Sequence, residues 1–128
     1  MPAVRIDTSH PRSSDEVASV IEAVYLAQRE ALKVPEGDRN IIYTEHLPER
    51  FAPPPGRSPQ YVRIEISLFP GRTIDAKRAL YASITDRLGV LGIAPADVFI
   101  IVHEPALENW GIAGRAASDI DLGFDLNV

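Results

Sequence analysis

The second residue of the chain, Pro2, has the type and the position to act as a base. Removal of Met1 would leave its ring nitrogen as a free secondary amine, and α-amino groups titrate at about 8. The alternating residues from Val4 to Asp7 read as a strand, at whose start a proline is tolerated because it has no N–H for the sheet. We expect this nitrogen at the buried end of a strand, exchanging a proton near neutrality. The plain alternative is a stiff first residue without chemistry.

Two arginines stand just before predicted helices and have the right chemistry to bind a carboxylate. Arg12 precedes an amphipathic segment that opens at Ser13, and Arg72 precedes another that opens at Thr73. A guanidinium meets a carboxylate with two parallel hydrogen bonds, whereas the helix dipole alone favours anions at this position. Substrate binding and a simple place at the helix entrance therefore both stay open for each arginine.

Length, composition and charge limit the class of protein. A chain of 128 residues without cysteine predicts one domain with no disulfide, thiol nucleophile or thiolate zinc cluster. The net charge of −5 argues against a nucleic-acid partner, and no apolar run approaches the length that spans a membrane. We expect a cytoplasmic protein. His10, His46 and His103 are isolated from one another in the sequence, so we predict no metal site.

Hydrophobic periodicity predicts an α/β (α+β) domain made of two fused β-α-β units. The second half repeats the first, since Val4–Asp7 matches Val62–Glu65 at a shift of 58. The halves span about 2–46 and 61–104, followed by a tail over 105–128 without a clear period. Strands are expected at 4–7, 41–44, 61–68 and 98–102. The first helix is expected to begin after Ser13 as its N-cap and to stop before Pro35, and the second to run from Thr73 to about Leu91.

Local signals refine this outline. Ser13 and Glu16 have the spacing of a capping box for the first helix. Leu91 is expected on the inner face of the second helix, and the apolar run Val98–Val102 is expected to be covered on both faces. The proline-rich loop, residues 47–59, joins the two halves because no regular element can absorb its prolines.

Several segments resemble the tautomerase superfamily, whose members are built from such units and use an amino-terminal proline. Residues 2–6 (PAVRI) with Arg12 resemble the 4-oxalocrotonate tautomerase pattern. The likeness to the malonate semialdehyde decarboxylase branch lies in residues 34–39 (VPEGDR), 71–73 (GRT) and 109–114 (NWGIAG).

The resemblance implies a cofactor-independent enzyme that acts on a small 2-keto or 3-oxo carboxylic acid and assembles as a homotrimer. It makes Pro2 the acid or base and Asp38 its partner carboxylate. It also makes Arg72 and Arg12 ligands of the substrate carboxylate. Trp110 and Ile112 would form an apolar wall that keeps water away from Pro2.

The residues leave two related reactions open, keto–enol tautomerisation and decarboxylation or hydration. Burial and a nearby arginine would lower the pKa of Pro2, whereas Asp38 would raise it. A neutral Pro2 favours proton abstraction and keto–enol tautomerisation, and a protonated Pro2 favours decarboxylation or hydration. The decarboxylase pattern has arginines on both sides of a proline, but Phe69 stands at the first of these places.

The roles of Asp38 and Arg39, and the function that the fold implies, each have an alternative. Asp38 has a repeat counterpart in Asp97, so both acids fit a structural role in a turn as well as a catalytic one. Arg39 suits either a second anion ligand or an ion-pair partner of Asp38, and we favour the ion pair. A β-α-β-β-α-β order also suits a non-catalytic binding module of the ferredoxin-like type.

Overall fold

The computed structural model describes residues 2–123. The expected removal of Met1 and the end of the predicted tail, residues 124–128, lie outside the described residues. The order confirms two β-α-β units, followed by a small hairpin. The elements are β1 (Ala3–Thr8), α1 (Ser14–Leu32), β2 (Ile41–Glu45), β3 (Val62–Ser67), α2 (Ile74–Val90), β4 (Val98–His103), β5 (Gly111–Ile112) and β6 (Arg115–Ala116).

The four long strands form one sheet in the order β2-β1-β3-β4. Strands within a unit are parallel, because a helix carries the chain back across the sheet, and the units meet through antiparallel β1 and β3. Ala3 therefore lies opposite Ser67. We call this end of the sheet, where β1 begins and β3 ends, the Pro2 end, and the other the Arg12 end.

Capping side chains begin both helices. Ser13 accepts a hydrogen bond from the backbone N–H of Glu16, and the Glu16 carboxylate accepts one from the backbone N–H of Ser13 at 2.8 Å, which confirms the predicted capping box. Thr73 does the same for α2 by accepting from the N–H of Ala76 at 3.1 Å. These bonds satisfy amide groups that a helix start leaves without partners.

Both helices pack on one face of the sheet and enclose the core. Ile6 and Ile64 from the central strands are fully buried, as are Leu80, Ile84 and Leu88 along α2. The prediction that Leu91 belongs to this inner face is wrong, since 42% of it is exposed. The helix ends at Val90, so the helical period no longer applies to the next residue.

The other side of the sheet, which we call the helix-free face, carries Arg5, Ile42, Arg63 and Phe99. Within this chain the predicted cover of β4 on both faces is not found, because both helices pack on the other face of the sheet. Phe99 is 42% exposed and Ile42 on the opposite edge strand is 56% exposed. Among the described residues, neither helix is long and apolar enough to cross a membrane.

Candidate active site

Pro2 is buried where β1 begins, and the segment that carries Asp38 enters the sheet beside it. The backbone N–H of Val4 donates to the carbonyl of Asn40 at 2.9 Å, and β2 then runs parallel to β1. The chain that leaves the neighbouring strand β3 arrives at the same end and leads to Arg72. The topology thus brings Pro2, Asp38 and Arg72 to one end of the sheet.

Asp38 lies in a tight turn, residues 35–39, that we call the Asp38 turn. Its backbone N–H donates to the carbonyl of Pro35 at 3.2 Å, and the N–H of Arg39 donates to Gly37 at 2.9 Å. Gly37 has φ +83°, a left-handed conformation that favours glycine. The expected ion pair between Arg39 and Asp38 is wrong, because Arg39 turns back over α1 and binds Glu22 at 2.7 Å.

Arg72 is buried, with 7% of its surface exposed. Its guanidinium donates to the carbonyl of Leu32, the last residue of α1. A helix C-terminus carries partial negative charge and carbonyls without intrahelical partners, so it stabilises a cation there. The contact orients Arg72, whose five N–H groups allow it to bind a backbone carbonyl and a carboxylate at once.

Aromatic side chains form a wall at the Pro2 end. Phe69 and Trp110 meet edge to face, with 4.8 Å between ring centroids. The Trp110 indole N–H donates to the carbonyl of Pro105 at 3.1 Å, and its backbone carbonyl accepts from Ala117. The tail, predicted to have no regular pattern, therefore folds back as the β5-β6 hairpin and carries Ile112 to the site.

A cavity of about 250 Å³ opens between these segments. Asp38 and the predicted Ile112 line it, whereas Trp110 contributes through its contact with Phe69. The sequence reasoning missed the tail residues after the hairpin, since no period marks them. The full lining consists of Pro35, Asp38, Phe69, Ile112, Ile120, Asp121 and Leu122.

The structure does not bring Arg12 to Pro2 within the chain. Arg12 lies at the Arg12 end, where it donates to the Tyr43 hydroxyl at 2.9 Å and to the Gln60 carbonyl at 3.4 Å. Gln60 is the repeat counterpart of Pro2 at the shift of 58. The contacts of Arg12 therefore join strand β2 of the first unit to Gln60, which lies just before strand β3 of the second.

Asp97, the counterpart of Asp38, has a different environment. It is 5% exposed, and its carboxylate accepts hydrogen bonds from the hydroxyl and the backbone N–H of Ser58, the latter at 2.8 Å. This acid holds the proline-rich loop. The two acids of the repeat thus differ in place: Asp97 binds Ser58 of the proline-rich loop, and Asp38 borders a cavity.

The helix-free face carries two pairs of a histidine and an acid. Nε2 of His46 lies 2.7 Å from Asp7, and Nε2 of His103 lies 3.0 Å from Glu65. The hydrogen bond from His103 holds the pKa of the Glu65 carboxyl below its ordinary value. Across residues 2–123 we find no cluster of three or more such side chains that could hold a metal ion.

Comparison with known proteins gives relatives over nearly the whole length. The family model for tautomerase enzymes matches residues 38–113. A probable tautomerase of Bacillus subtilis (strain 168) is 28% identical over 127 residues, which cover 94% of this chain and all of that protein.

Solved structures agree with this result. The crystal structure of FG41 malonate semialdehyde decarboxylase inhibited by 3-bromopropiolate is 36% identical, covers 91% of this chain and 92% of its own, and superposes with a TM-score of 0.80. R7 fused 4-OT, an asymmetric trimer, is 21% identical and shares the fold, with a TM-score of 0.81 over 91% of this chain and 97% of its own. The chain is therefore an enzyme of isomerase or lyase type rather than a non-catalytic binding module, and it belongs to the tautomerase family, on the branch that resembles malonate semialdehyde decarboxylase.

Proposed function

We propose that the chain is a cofactor-independent tautomerase that interconverts the enol and keto forms of a small 2-keto or 3-oxo carboxylic acid, with Pro2 as its N-terminal residue. The observation that carries the proposal is the convergence of Pro2, Asp38 and the buried Arg72 at one end of the sheet, where Asp38 also lines a largely apolar cavity. A cavity of about 250 Å³ suits a small acid.

The proposed reaction moves one proton between oxygen and carbon. In the ketonising direction the neutral Pro2 nitrogen accepts the proton of the enol O–H as the carbon–oxygen double bond forms. The same nitrogen then donates that proton to the adjacent carbon, which returns Pro2 to its neutral state. General acid–base catalysis of this kind accelerates a reaction by roughly 10²- to 10⁴-fold.

Arg72 and Asp38 have separate roles in this proposal. Arg72 binds the substrate carboxylate, and its bond to Leu32 limits the orientations that the guanidinium adopts. Asp38 borders the cavity, and its negative charge stabilises the prolinium that exists between the two proton transfers. Phe69 and Ile112 give the cavity an apolar lining, and apolar surroundings strengthen electrostatic interactions with a bound substrate.

A second candidate reaction is decarboxylation of malonate semialdehyde or a related hydration. The 36% identity with FG41 malonate semialdehyde decarboxylase favours it. In this reaction a protonated Pro2 polarises the carbonyl while Asp38 orients water or the departing carboxylate. Phe69 in place of the first arginine of the decarboxylase pattern leaves Arg72 as the carboxylate ligand and favours the tautomerase.

We also propose that the enzyme is a homotrimer assembled through the helix-free face. R7 fused 4-OT, which shares the fold, is a trimer. Ile42 and Phe99 on the edge strands expose apolar surface that a second copy would cover. Sedimentation equilibrium measures the mass of the assembly and so tests the homotrimer, which a monomeric mass at micromolar concentration would refute.

Ketonisation of phenylenolpyruvate, followed by the decrease in enol absorbance, tests the function. Pro2→Ala should lower kcat/KM by about 100-fold or more, since it replaces the ring amine. Pro11→Ala is the matched control, because Pro11 is exposed and lies next to Arg12, far from the site. Release of carbon dioxide from malonate semialdehyde, measured in parallel, decides between the two reactions. Unchanged turnover of both substrates by Pro2→Ala would refute the proline mechanism.

A further inference from the structure

Tyr25, a buried residue of α1, contacts the Asp38 turn on both sides of its acid. Its hydroxyl accepts a hydrogen bond from the backbone N–H of Gly37 at 2.8 Å. Its ring lies under the guanidinium of Arg39, with 4.0 Å from Cζ to the ring centroid. The residues immediately before and after Asp38 are thus both held by one side chain.

The contacts of Tyr25 belong to a larger clamp. Glu22, one helical turn earlier on α1, binds Arg39 at 2.7 Å and so keeps the guanidinium over the ring. A cation above an aromatic face contributes about 0.5 to 2 kcal/mol, more when water is excluded. Because Tyr25 is 5% exposed, its hydroxyl needs a partner inside the protein, and the Gly37 amide is that partner.

We infer that Tyr25 is a positioning residue that fixes the Asp38 carboxylate toward the cavity of the active site. The inference rests on the proposed function, in which Asp38 acts beside Pro2. Within the turn the backbone N–H of Asp38 donates to Pro35 and that of Arg39 donates to Gly37, whose φ of +83° is a left-handed conformation. Loss of the clamp would let the backbone on both sides of Asp38 shift, and a displacement of about 1 Å is enough to reduce catalysis strongly.

Tyr25→Phe tests the inference, because it removes the hydroxyl and keeps the ring. We expect kcat/KM for ketonisation to fall by about 5- to 150-fold, the factor that corresponds to the cost of leaving a buried polar group without its partner. Amide exchange at Gly37 should become about tenfold faster. Tyr81→Phe on α2 is the matched control, since its hydroxyl makes no hydrogen bond within residues 2–123, and it should leave both quantities within twofold.

The decisive comparison repeats the substitution in an Asp38→Asn background. If Tyr25 acts through Asp38, Tyr25→Phe should then change kcat/KM by less than twofold and should shift the pH–rate profile only when Asp38 is present. Arg39→Gln releases the other side of the clamp, and its effect on kcat/KM must likewise disappear in the Asp38→Asn background. This variant keeps the test possible if Tyr25→Phe fails to fold. Equal losses in both backgrounds, or activity within twofold of the wild type, would overturn the inference. Turnover that does not depend on Pro2 would instead refute the proposed function.

Discussion

Nε2 of His103 lies 3.0 Å from Oε1 of Glu65, across strands β3 and β4 on the helix-free face. The bond holds the pKa of Glu65 below its ordinary value of 4.5. A carboxylate with a lowered pKa in the folded state adds stability above its ordinary pKa. That stability disappears as the pH falls through the pKa of the folded state.

Glu65→Gln should therefore lower the free energy of unfolding at pH 7, and its difference from the wild type should shrink below about pH 4.5. Urea unfolding at pH 7, 5 and 3.5 measures this difference. Glu108→Gln removes an exposed carboxylate away from His103 and is the control. A difference for Glu65→Gln that grows as the pH falls would show that the bond has no such effect.

The two helix caps give a comparison within one chain. Ser13→Ala and Thr73→Ala should each cost about 1 kcal/mol of unfolding free energy, because each leaves a backbone N–H of the first turn without its acceptor. Ser19→Ala, at an exposed position inside α1, should be neutral or slightly stabilising, since alanine has the higher helix propensity. Chemical denaturation measures the unfolding free energy of each variant. Equal losses of unfolding free energy for Ser13→Ala and Ser19→Ala would contradict the capping assignment.

The two arginines of the repeat should separate binding from stability. Arg72→Gln should raise KM by about 10- to 100-fold, since charged hydrogen bonds contribute about 1.5 to 3 kcal/mol. Arg12→Gln should leave KM within about twofold but lower the unfolding free energy, because it loses the bonds to Tyr43 and Gln60. Arg72→Lys keeps the charge if the glutamine variant is unstable. Similar increases in KM for Arg12→Gln and Arg72→Gln would disprove the separation.

The two acids of the repeat should separate in the same way. Asp97→Asn weakens the contacts with Ser58, so proteolytic cleavage within the proline-rich loop should become faster while kcat/KM stays within about twofold. Asp38→Asn should lower kcat/KM and leave cleavage of that loop unchanged. Limited proteolysis followed by mass spectrometry, together with steady-state kinetics, compares them. Loss of activity in Asp97→Asn equal to that in Asp38→Asn would contradict their assignment.

Much of the fold could be predicted because its signals are local. The capping box at Ser13 depends on a spacing of three residues, and helix ends depend on prolines and on where the apolar period stops. The repeat also predicted the two units, since Val62–Glu65 has the same alternation as Val4–Asp7. The cover of β4 could not be predicted, because an apolar run does not reveal which of its two faces another element of the same chain covers.

The contacts around the site depend on tertiary structure. Arg39 binds Glu22 rather than Asp38, and the reason is the aromatic ring of Tyr25, which α1 brings under the guanidinium. The antiparallel pairing of β1 and β3 separates Arg12 from Pro2, although both arginines precede a helix in the sequence. The sequence pattern does not distinguish Arg12 from Arg72. The strand pairing places them at opposite ends of the sheet.

The central claim is that the Pro2 nitrogen, as a free amine, carries out the proton transfer. The most direct measurement compares protein that retains Met1 with the same protein after a methionine aminopeptidase has removed it, following intact mass and ketonisation together. No side chain changes between the two states other than the loss of Met1, and the Pro2 nitrogen turns from an amide into an amine. The account predicts that turnover rises in proportion to the fraction of chains that begin at Pro2. Equal turnover by chains that keep Met1 would contradict it.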